Sequence, residues 1–331
     1  METIIKQIVW YMAMAIAPAA LASDAGVEDI ATRIRVYPIA TKTLTEAQVL
    51  RGEATGEPAM IAGELRLPRV QGRVPVVILV HGSGGAGNHE DRWSHEINGI
   101  GMGTFILDSF TGRDVSETIT DFSRLPHLAM IIDAYRALAV VAKNPRVDPT
   151  RIALMGFSKG GFVALYSSLR RFQRAYSTPG LEFAAFIPFY APCNRRFINE
   201  DDVSERPIRL FHGNDDDWSR ITYCRQYAEH ARSRGRDVQL FEFENAGHGF
   251  DVPNWEQGYD AQAENPGGCI FEERPEGLMV NPETGHPLTH TDPCYKQGAS
   301  IKYSASAAQM SRDAVKAFLL KTFGMSKPVA H

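Results

Sequence analysis

Cysteine is scarce in this chain, with four residues in 331, and neither sign of charge dominates, since 35 Lys and Arg stand against 39 Asp and Glu. Four cysteines are too few for a disulfide-dense scaffold. The net charge of −4 argues against a dedicated nucleic-acid binder, which needs a positive field to displace counter-ions from phosphates. With 44% hydrophobic and 22% charged residues, the composition is that of a globular protein. It excludes a chain that is mainly disordered, collagen-like or coiled coil.

Long apolar runs are also missing, except for one near the amino terminus. The uncharged run 8–22 follows Lys6 and ends in Ala-Leu-Ala before Ser23. This pattern predicts a signal peptide over 1–22 and export to the periplasm or the medium. The alternatives are a membrane anchor or a plain helix, but the run is shorter than the roughly 20 residues of a membrane span. We therefore expect no stable membrane insertion after cleavage, in a compartment where disulfides can form.

Strand-like and helix-like segments alternate along the rest of the chain. Apolar or alternating runs predict strands at 61–67, 74–80, 104–107, 151–155, 183–190, 208–211 and 238–243. Apolar residues at helical spacing predict helices at 128–142, 162–170, 221–232 and 310–318. This alternation predicts an α/β fold with a mostly parallel, twisted sheet of about eight strands and helices on both faces. We expect one domain over 23–331.

The segment 251–300 breaks this alternation, because it is rich in Gly, Pro, Asn and charge. A structureless stretch this long is unusual in a compact domain and is often functional. We interpret it as an excursion from the sheet, tied by a Cys269–Cys294 disulfide. Cys193 and Cys224 form the second expected pair, since neighbouring strands would bring them together. Four cysteines allow three connectivities, and free buried thiols are the alternative.

A glycine-rich turn between a strand and a helix carries the clearest catalytic motif. Residues 156–161 are Gly-Phe-Ser-Lys-Gly-Gly, and G-x-S-x-G in this context is a nucleophile elbow that exposes Ser158 at the carboxyl edge of the sheet. The backbone N–H of Lys159, at the positive end of the helix, would donate to an oxyanion. We expect its side chain to matter less than its amide. The alternative is an ordinary glycine-rich turn.

A base and an acid follow the serine in the chain order of α/β-hydrolases. His248 stands between two glycines after the strand at 238–243, and three acids, 215–217, follow the strand at 208–211. A serine hydroxyl needs such a base, and the base needs an acid to orient it. The spacing alone leaves open which acid this is.

Two further loops offer contacts to a substrate. After the first buried strand the chain contains His-Gly-Ser-Gly-Gly at 81–85, where the amide of Ser83 is our candidate for the second oxyanion donor and Gly84 the next. Arg113, beyond the strand at 104–107, would meet an anionic group of a substrate, although a solvated loop arginine is the alternative.

Five segments resemble the dienelactone hydrolase family of α/β-hydrolases: HGSGG, LDSFTGRDV, VDPTRIALMGFSKGG, HGNDDDW and NAGHGFD. The resemblance covers about 74–250 and the final helix. It implies that the nucleophile is Ser158, the base His248 and the acid Asp216, three residues after a glycine. The best-known members carry cysteine as the nucleophile, so serine here favours ordinary carboxylic esters, thioesters or lactones. We expect a small-molecule ester or lactone as the substrate, an acyl-enzyme intermediate, and no metal or organic cofactor.

Other functions remain open on sequence grounds. The same triad suits an exported peptidase or amidase, and the scaffold also suits a binding protein without activity. Residues 82–87 match G-x-G-x-x-G, and Asp108 lies 21 residues after the last glycine of that motif, Gly87. This spacing is typical of an NAD(P)-binding oxidoreductase, but that alternative leaves Ser158, Asp216 and His248 unexplained. His89-Glu90 and His95-Glu96 lack H-E-x-x-H spacing, so we expect a polar surface helix or loop without metal. The sequence does not indicate an oligomeric state.

Overall fold

The central sheet has eight strands. The computed structural model describes residues 33–253 and 257–326, so the predicted signal peptide lies outside the described residues. The described strands are β1 Ile34–Thr43, β2 Glu57–Arg66, β3 Val74–Val80, β4 Gly103–Asp108, β5 Val147–Phe157, β6 Ala185–Phe189, β7 Arg195–Arg196, β8 Ile208–Gly213, β9 Val238–Phe243, β10 Gln257–Asn265, β11 Phe271–Arg274, β12 Leu278–Val280 and β13 Lys296–Lys302. The order in the sheet is β1-β2-β4-β3-β5-β6-β8-β9. The pairs β1/β2 and β2/β4 are antiparallel, and the other neighbours are parallel.

Helices cover both faces of this sheet, which confirms the predicted fold class. The described α-helices are α1 Glu46–Leu50, α2 Asn88–Asn98, α3 His127–Val141, α4 Lys159–Tyr166, α5 Arg170–Tyr176, α6 Ile221–Ser233 and α7 Ala305–Thr322. Five of them, α1 and α3–α6, supply one buried apolar cluster, while α2 and α7 supply the other. Strand β3 contributes alternate residues to both clusters, so all seven of its residues are buried. Burial on both faces is the reason for its uninterrupted apolar run.

The segment 251–300 is not structureless, which corrects the sequence-based expectation. Its strands β10 and β13 pair antiparallel, and β11 and β12 join the short strand β7 in a second small sheet. Strands β10 and β13 are mostly polar, and β11 and β12 have only four and three residues, so the hydrophobic pattern of the sequence does not reveal them. The cysteines are joined as Cys193–Cys224 and Cys269–Cys294, the two expected pairs. Among the described residues, no helix is long and apolar enough to cross a membrane.

Candidate active site

Ser158 lies at the sharp turn between β5 and α4. Its φ of 54° and ψ of −113° place it in a strained region for a residue with a side chain. The turn fits only because of its glycines: a Cβ on Gly156 would lie 2.0 Å from the Gly160 carbonyl oxygen, and a Cβ on Gly160 would lie 2.1 Å from that of Val80. The sequence therefore forces the backbone into a conformation that lifts Ser158 off the end of β5.

Three side chains that follow three different strands meet at this edge. The Nε2 of His248 lies 2.8 Å from the Oγ of Ser158, and its Nδ1 lies 3.0 Å from the Oδ2 of Asp216. The other carboxylate oxygen of Asp216 accepts the backbone N–H groups of Trp218 at 3.0 Å and Ser219 at 2.7 Å. The carboxylate is therefore fixed by its own turn and aligned with the imidazole.

The two neighbouring acids point elsewhere. Asp215 pairs with the Lys302 ammonium, and the Oδ1 of Asp217 accepts the backbone N–H of Ser300 at 2.9 Å. The structure thus brings Asp216 alone of the three to His248, as the family resemblance implies. Burial on its own would raise the pKa of Asp216, but the charge of His248 and hydrogen bonding from His212 hold that pKa well below its usual range.

His212 is a second imidazole on the same carboxylate, and no catalytic motif in the sequence singles it out. Its Nε2 lies 3.2 Å from the Oδ2 of Asp216 and also contacts the carbonyl of Ser219. The ring is completely buried. Its signal in the sequence is its place at the end of β8, directly before the glycine that precedes the acids.

Ser83, one of the two proposed oxyanion donors, lines a pocket of about 280 Å³ with Ser158 and His248. Its wall includes Ser83, Gly84, Ser158, Trp218 and His248. Lys159 is the first residue of α4, so its backbone N–H has no acceptor within the helix and points from the helix N-terminus. Lys159 itself lines a smaller cavity of about 40 Å³ together with Ser83 and Ser158.

The side chain of Lys159, which we expect to matter less than its amide, is buried. Its Nζ donates to the hydroxyl of Thr118 at 3.1 Å and to the carbonyl of Leu125 at 2.5 Å. The ammonium also lies 6.0 Å and 5.6 Å from the ring centroids of Phe110 and Phe122. Desolvation by burial lowers the pKa of Lys159 to about 7.

Arg113 does not reach the pocket, contrary to the sequence-based expectation. Its guanidinium forms two hydrogen bonds to Asp133, of 2.7 and 2.9 Å, and a third to the carbonyl of Ser109 at 2.7 Å. Only 6% of the Arg113 side chain is exposed. The arginine therefore forms a buried ion pair that fixes the loop after β4, and it does not contact a substrate in the pocket.

The segment after Gly87 is the helix α2, and its inward face is buried rather than a solvated surface. His89 Nε2 and Trp93 Nε1 lie 2.9 and 2.7 Å from the same carboxylate oxygen of Asp251, whose other oxygen accepts the Tyr190 hydroxyl at 2.9 Å. Burial on its own would lower the pKa of His89. The carboxylates of Asp251 and Glu90 raise it, and the net result is a pKa of about 10. The Tyr190 ring lies 4.9 Å from that of His248, so this network forms part of the wall behind the triad.

Two alternatives from the sequence find no support in the side-chain geometry. Asp108, the acid that would bind a ribose, accepts the backbone N–H groups of Phe110 and Thr111 at 2.9 and 3.0 Å. His89 and Glu90 are engaged as described, and the described residues contain no cluster of three or more His, Cys, Asp or Glu side chains that could hold a metal ion.

Comparison with known proteins gives a consistent family and fold. The dienelactone hydrolase family model matches residues 61–267. A dienelactone hydrolase-like promiscuous phosphotriesterase from metagenomic libraries superposes with a TM-score of 0.58 at 16% identity, over 88% of this chain and 99% of that one. An alpha/beta hydrolase from a Medee basin deep-sea metagenome library gives 0.52 at 16% identity, over 89% and 100%. No curated protein matches the chain.

Proposed function

Since the chain belongs to the dienelactone hydrolase family and is a hydrolase acting on ester bonds, we propose that it cleaves carboxylic esters or lactones with Ser158 as the nucleophile. The observation that carries this proposal is the continuous chain of contacts from Ser158 Oγ to His248 to Asp216, at 2.8 and 3.0 Å. An acid, a base and a hydroxyl in this arrangement suit acyl transfer.

In the first half-reaction, His248 Nε2 takes the proton of the Ser158 hydroxyl as Oγ attacks the carbonyl carbon of the ester. Asp216 accepts the Nδ1–H of His248, which selects the tautomer with a free Nε2 and stabilises the imidazolium that forms. The amides of Ser83 and Lys159 donate to the oxygen that becomes negative.

Collapse of the tetrahedral intermediate breaks the bond to the alcohol oxygen, which leaves with the proton from His248. The acyl group is then held as an ester of Ser158. His248 next takes a proton from a water molecule, whose oxygen attacks the acyl carbon, and the acid leaves as Ser158 regains its proton. For a lactone, the alcohol and the acid remain parts of one product.

The pocket supports a small substrate, because its volume is about 280 Å³ and its wall includes Ile119, Phe157, Trp218 and Val252. The intact triad favours a catalytic protein over a binding protein on the same scaffold. Export to an oxidising compartment is part of the proposal, and the two disulfides support it.

A panel of simple esters, lactones and peptidyl amides tests the proposal on the purified protein and its Ser158→Ala variant. We expect ester or lactone turnover that falls about 10³-fold or more in Ser158→Ala. Ser233→Ala, at an exposed position on α6, is the matched control and should keep full activity. Turnover of amides but not esters would favour the peptidase alternative, and near-normal turnover by Ser158→Ala would overturn the assignment.

A further inference from the structure

A second cavity, of about 210 Å³, shares no lining residue with the 280 Å³ pocket. Asn194 and Arg195 also line the cavity of about 40 Å³ that includes Ser158 and Lys159. We call the cavity of about 210 Å³ the arginine cavity because its wall includes Arg195, Arg196, Arg234 and Arg236. The first two arginines form β7, and the other two lie in the turn at the end of α6. Tyr223 and Tyr227 of α6 add aromatic surface.

Among the described residues, no carboxylate forms an ion pair with the guanidinium of Arg195. Its Cζ lies 3.3 Å from the ring centroid of Phe271, so one face of the group stacks on an aromatic ring. Its Nη1 is buried and has no hydrogen-bond partner among the described residues. Burial lowers the pKa of Arg195, because desolvation disfavours its charged form. Stacking on the ring does not satisfy the N–H groups of Nη1, which lie at the edge of the guanidinium.

Arg236, which also lines the cavity, has a similar unpartnered nitrogen. Its Nε is buried and likewise has no partner within the described part of the chain. Its backbone N–H is used to close the end of α6, where it donates to the carbonyl of Ala231 at 3.1 Å. Buried polar groups are nearly always paired, so one unpartnered guanidinium nitrogen on each of two arginines that line one cavity calls for an explanation.

The acids at this cavity are engaged with other groups. Asp201 is paired with His230 at 2.5 Å and with Arg234 at 3.1 Å. Glu200 accepts the backbone N–H of Phe197 at 3.2 Å, and burial raises its pKa. Among the described residues, neither acid forms an ion pair with Arg195 or Arg236.

We propose that the arginine cavity binds a small molecule through a phosphate or carboxylate group, which pairs with Arg195 and Arg236. A guanidinium presents its donors in a planar fork that matches both kinds of oxyanion. The cavity volume suits a small metabolite-sized ligand, and the rings of Tyr223 and Tyr227 would contact its carbon skeleton. The proposal is independent of the chemistry at Ser158.

Calorimetric titration of the whole protein with inorganic phosphate, and separately with malonate, tests the proposal at constant ionic strength. We expect saturable binding of at least one probe, and the tighter of the two identifies the anion class. Arg195→Met and Arg236→Met should each weaken it about tenfold or more, since each removes a charge-assisted pair. Arg174→Met is the control, because Arg174 pairs with Asp202 and does not line the cavity.

Thermal unfolding gives a second readout. The probe that binds should raise the unfolding midpoint of the wild type and of Ser158→Ala, but not that of Arg236→Met. Arg236→Lys keeps a charge without the planar fork, so it serves if the methionine variant does not fold, and it too should bind more weakly. Absence of saturable binding of both probes, or equal affinity in the Arg236 variants and the wild type, would overturn the proposal.

Discussion

The buried ammonium of Lys159 donates a hydrogen bond to the hydroxyl of Thr118 at 3.1 Å. The backbone N–H of Thr118 in turn donates to the carbonyl of Ser83 at 2.8 Å. Thr118 is itself completely buried. It therefore links the two residues whose amides we propose as the oxyanion donors, and it fixes their separation through one hydroxyl and one peptide group.

Thr118→Val tests this link, because it removes the hydroxyl acceptor and keeps the backbone N–H. We expect kcat to fall about tenfold to 100-fold with little change in KM, since a small displacement of the donors weakens binding of the transition state more than of the substrate. Thr118→Ser should restore most of kcat. Thr104→Val, which removes a buried hydroxyl bonded to Ser94, is the control. Equal effects of Thr118→Val and Thr104→Val on kcat would show that the link has no catalytic role.

Lys159→Met should change how stability depends on pH. The pKa of Lys159 is lowered from 10.5 to about 7 by burial, so between these values the unfolded chain holds a proton that the folded protein has lost. The free energy of unfolding of the wild type therefore increases as the pH rises between these two values. The variant has no titrating group at position 159, so it lacks this increase. Urea unfolding measures the difference in free energy of unfolding between the variant and the wild type. We expect this difference to favour the variant more at about pH 6 than at about pH 9. Parallel behaviour of the two proteins would contradict the prediction.

Asp216→Asn should lower kcat by about 10⁴-fold with little effect on KM, because an amide does not hold the required tautomer of His248. Asp215→Asn is a matched control one residue away, where the carboxylate is exposed and pairs with Lys302. We expect nearly unchanged kcat for that variant in steady-state assays on the same ester. A similar loss in both variants would remove the special role of Asp216.

The Cys269–Cys294 disulfide closes a loop with a sequence separation of 25 residues. Replacement of both cysteines by serine should lower the free energy of unfolding by about 3 kcal/mol, mainly because the unfolded chain gains freedom. Urea denaturation measures this difference. Peptide mapping without reduction should recover this pair and Cys193–Cys224 as linked peptides, and four free thiols would refute both.

The parallel strands of the sheet could be predicted from the sequence, but the antiparallel edge strand β1 could not. Strands β3 and β9 begin and end at the predicted residues, 74–80 and 238–243. Apolar burial marks β3 along its whole length. Helix α2 is different, because its inward face includes Glu90 and Ser94, whose partners come from distant or backbone groups. A search for apolar residues at helical spacing therefore does not predict that these polar side chains are buried.

In the candidate active site, too, local sequence motifs predict some residues, while contacts between distant residues are not predictable. Ser158 and His248 could be identified because glycines beside them mark local turns with a known conformation. The choice of Asp216 over Asp215 and Asp217 depends on the position of the acid in the family motif. The contacts that distinguish the three acids involve Trp218, Ser219, Lys302 and Ser300, and the sequence does not show them. The contacts of Lys159 with Thr118 and of Arg113 with Asp133 join residues 41 and 20 positions apart, so no local pattern predicts them.

Covalent labelling with a fluorophosphonate probe tests most directly whether Ser158 is an activated nucleophile. We predict one adduct per chain on the peptide that contains Ser158, detected by mass spectrometry, and no adduct on Ser158→Ala. His248→Ala should react far more slowly, because the serine then lacks its base. A wild-type protein that stays unlabelled, or an adduct that persists on Ser158→Ala, would contradict the proposed mechanism.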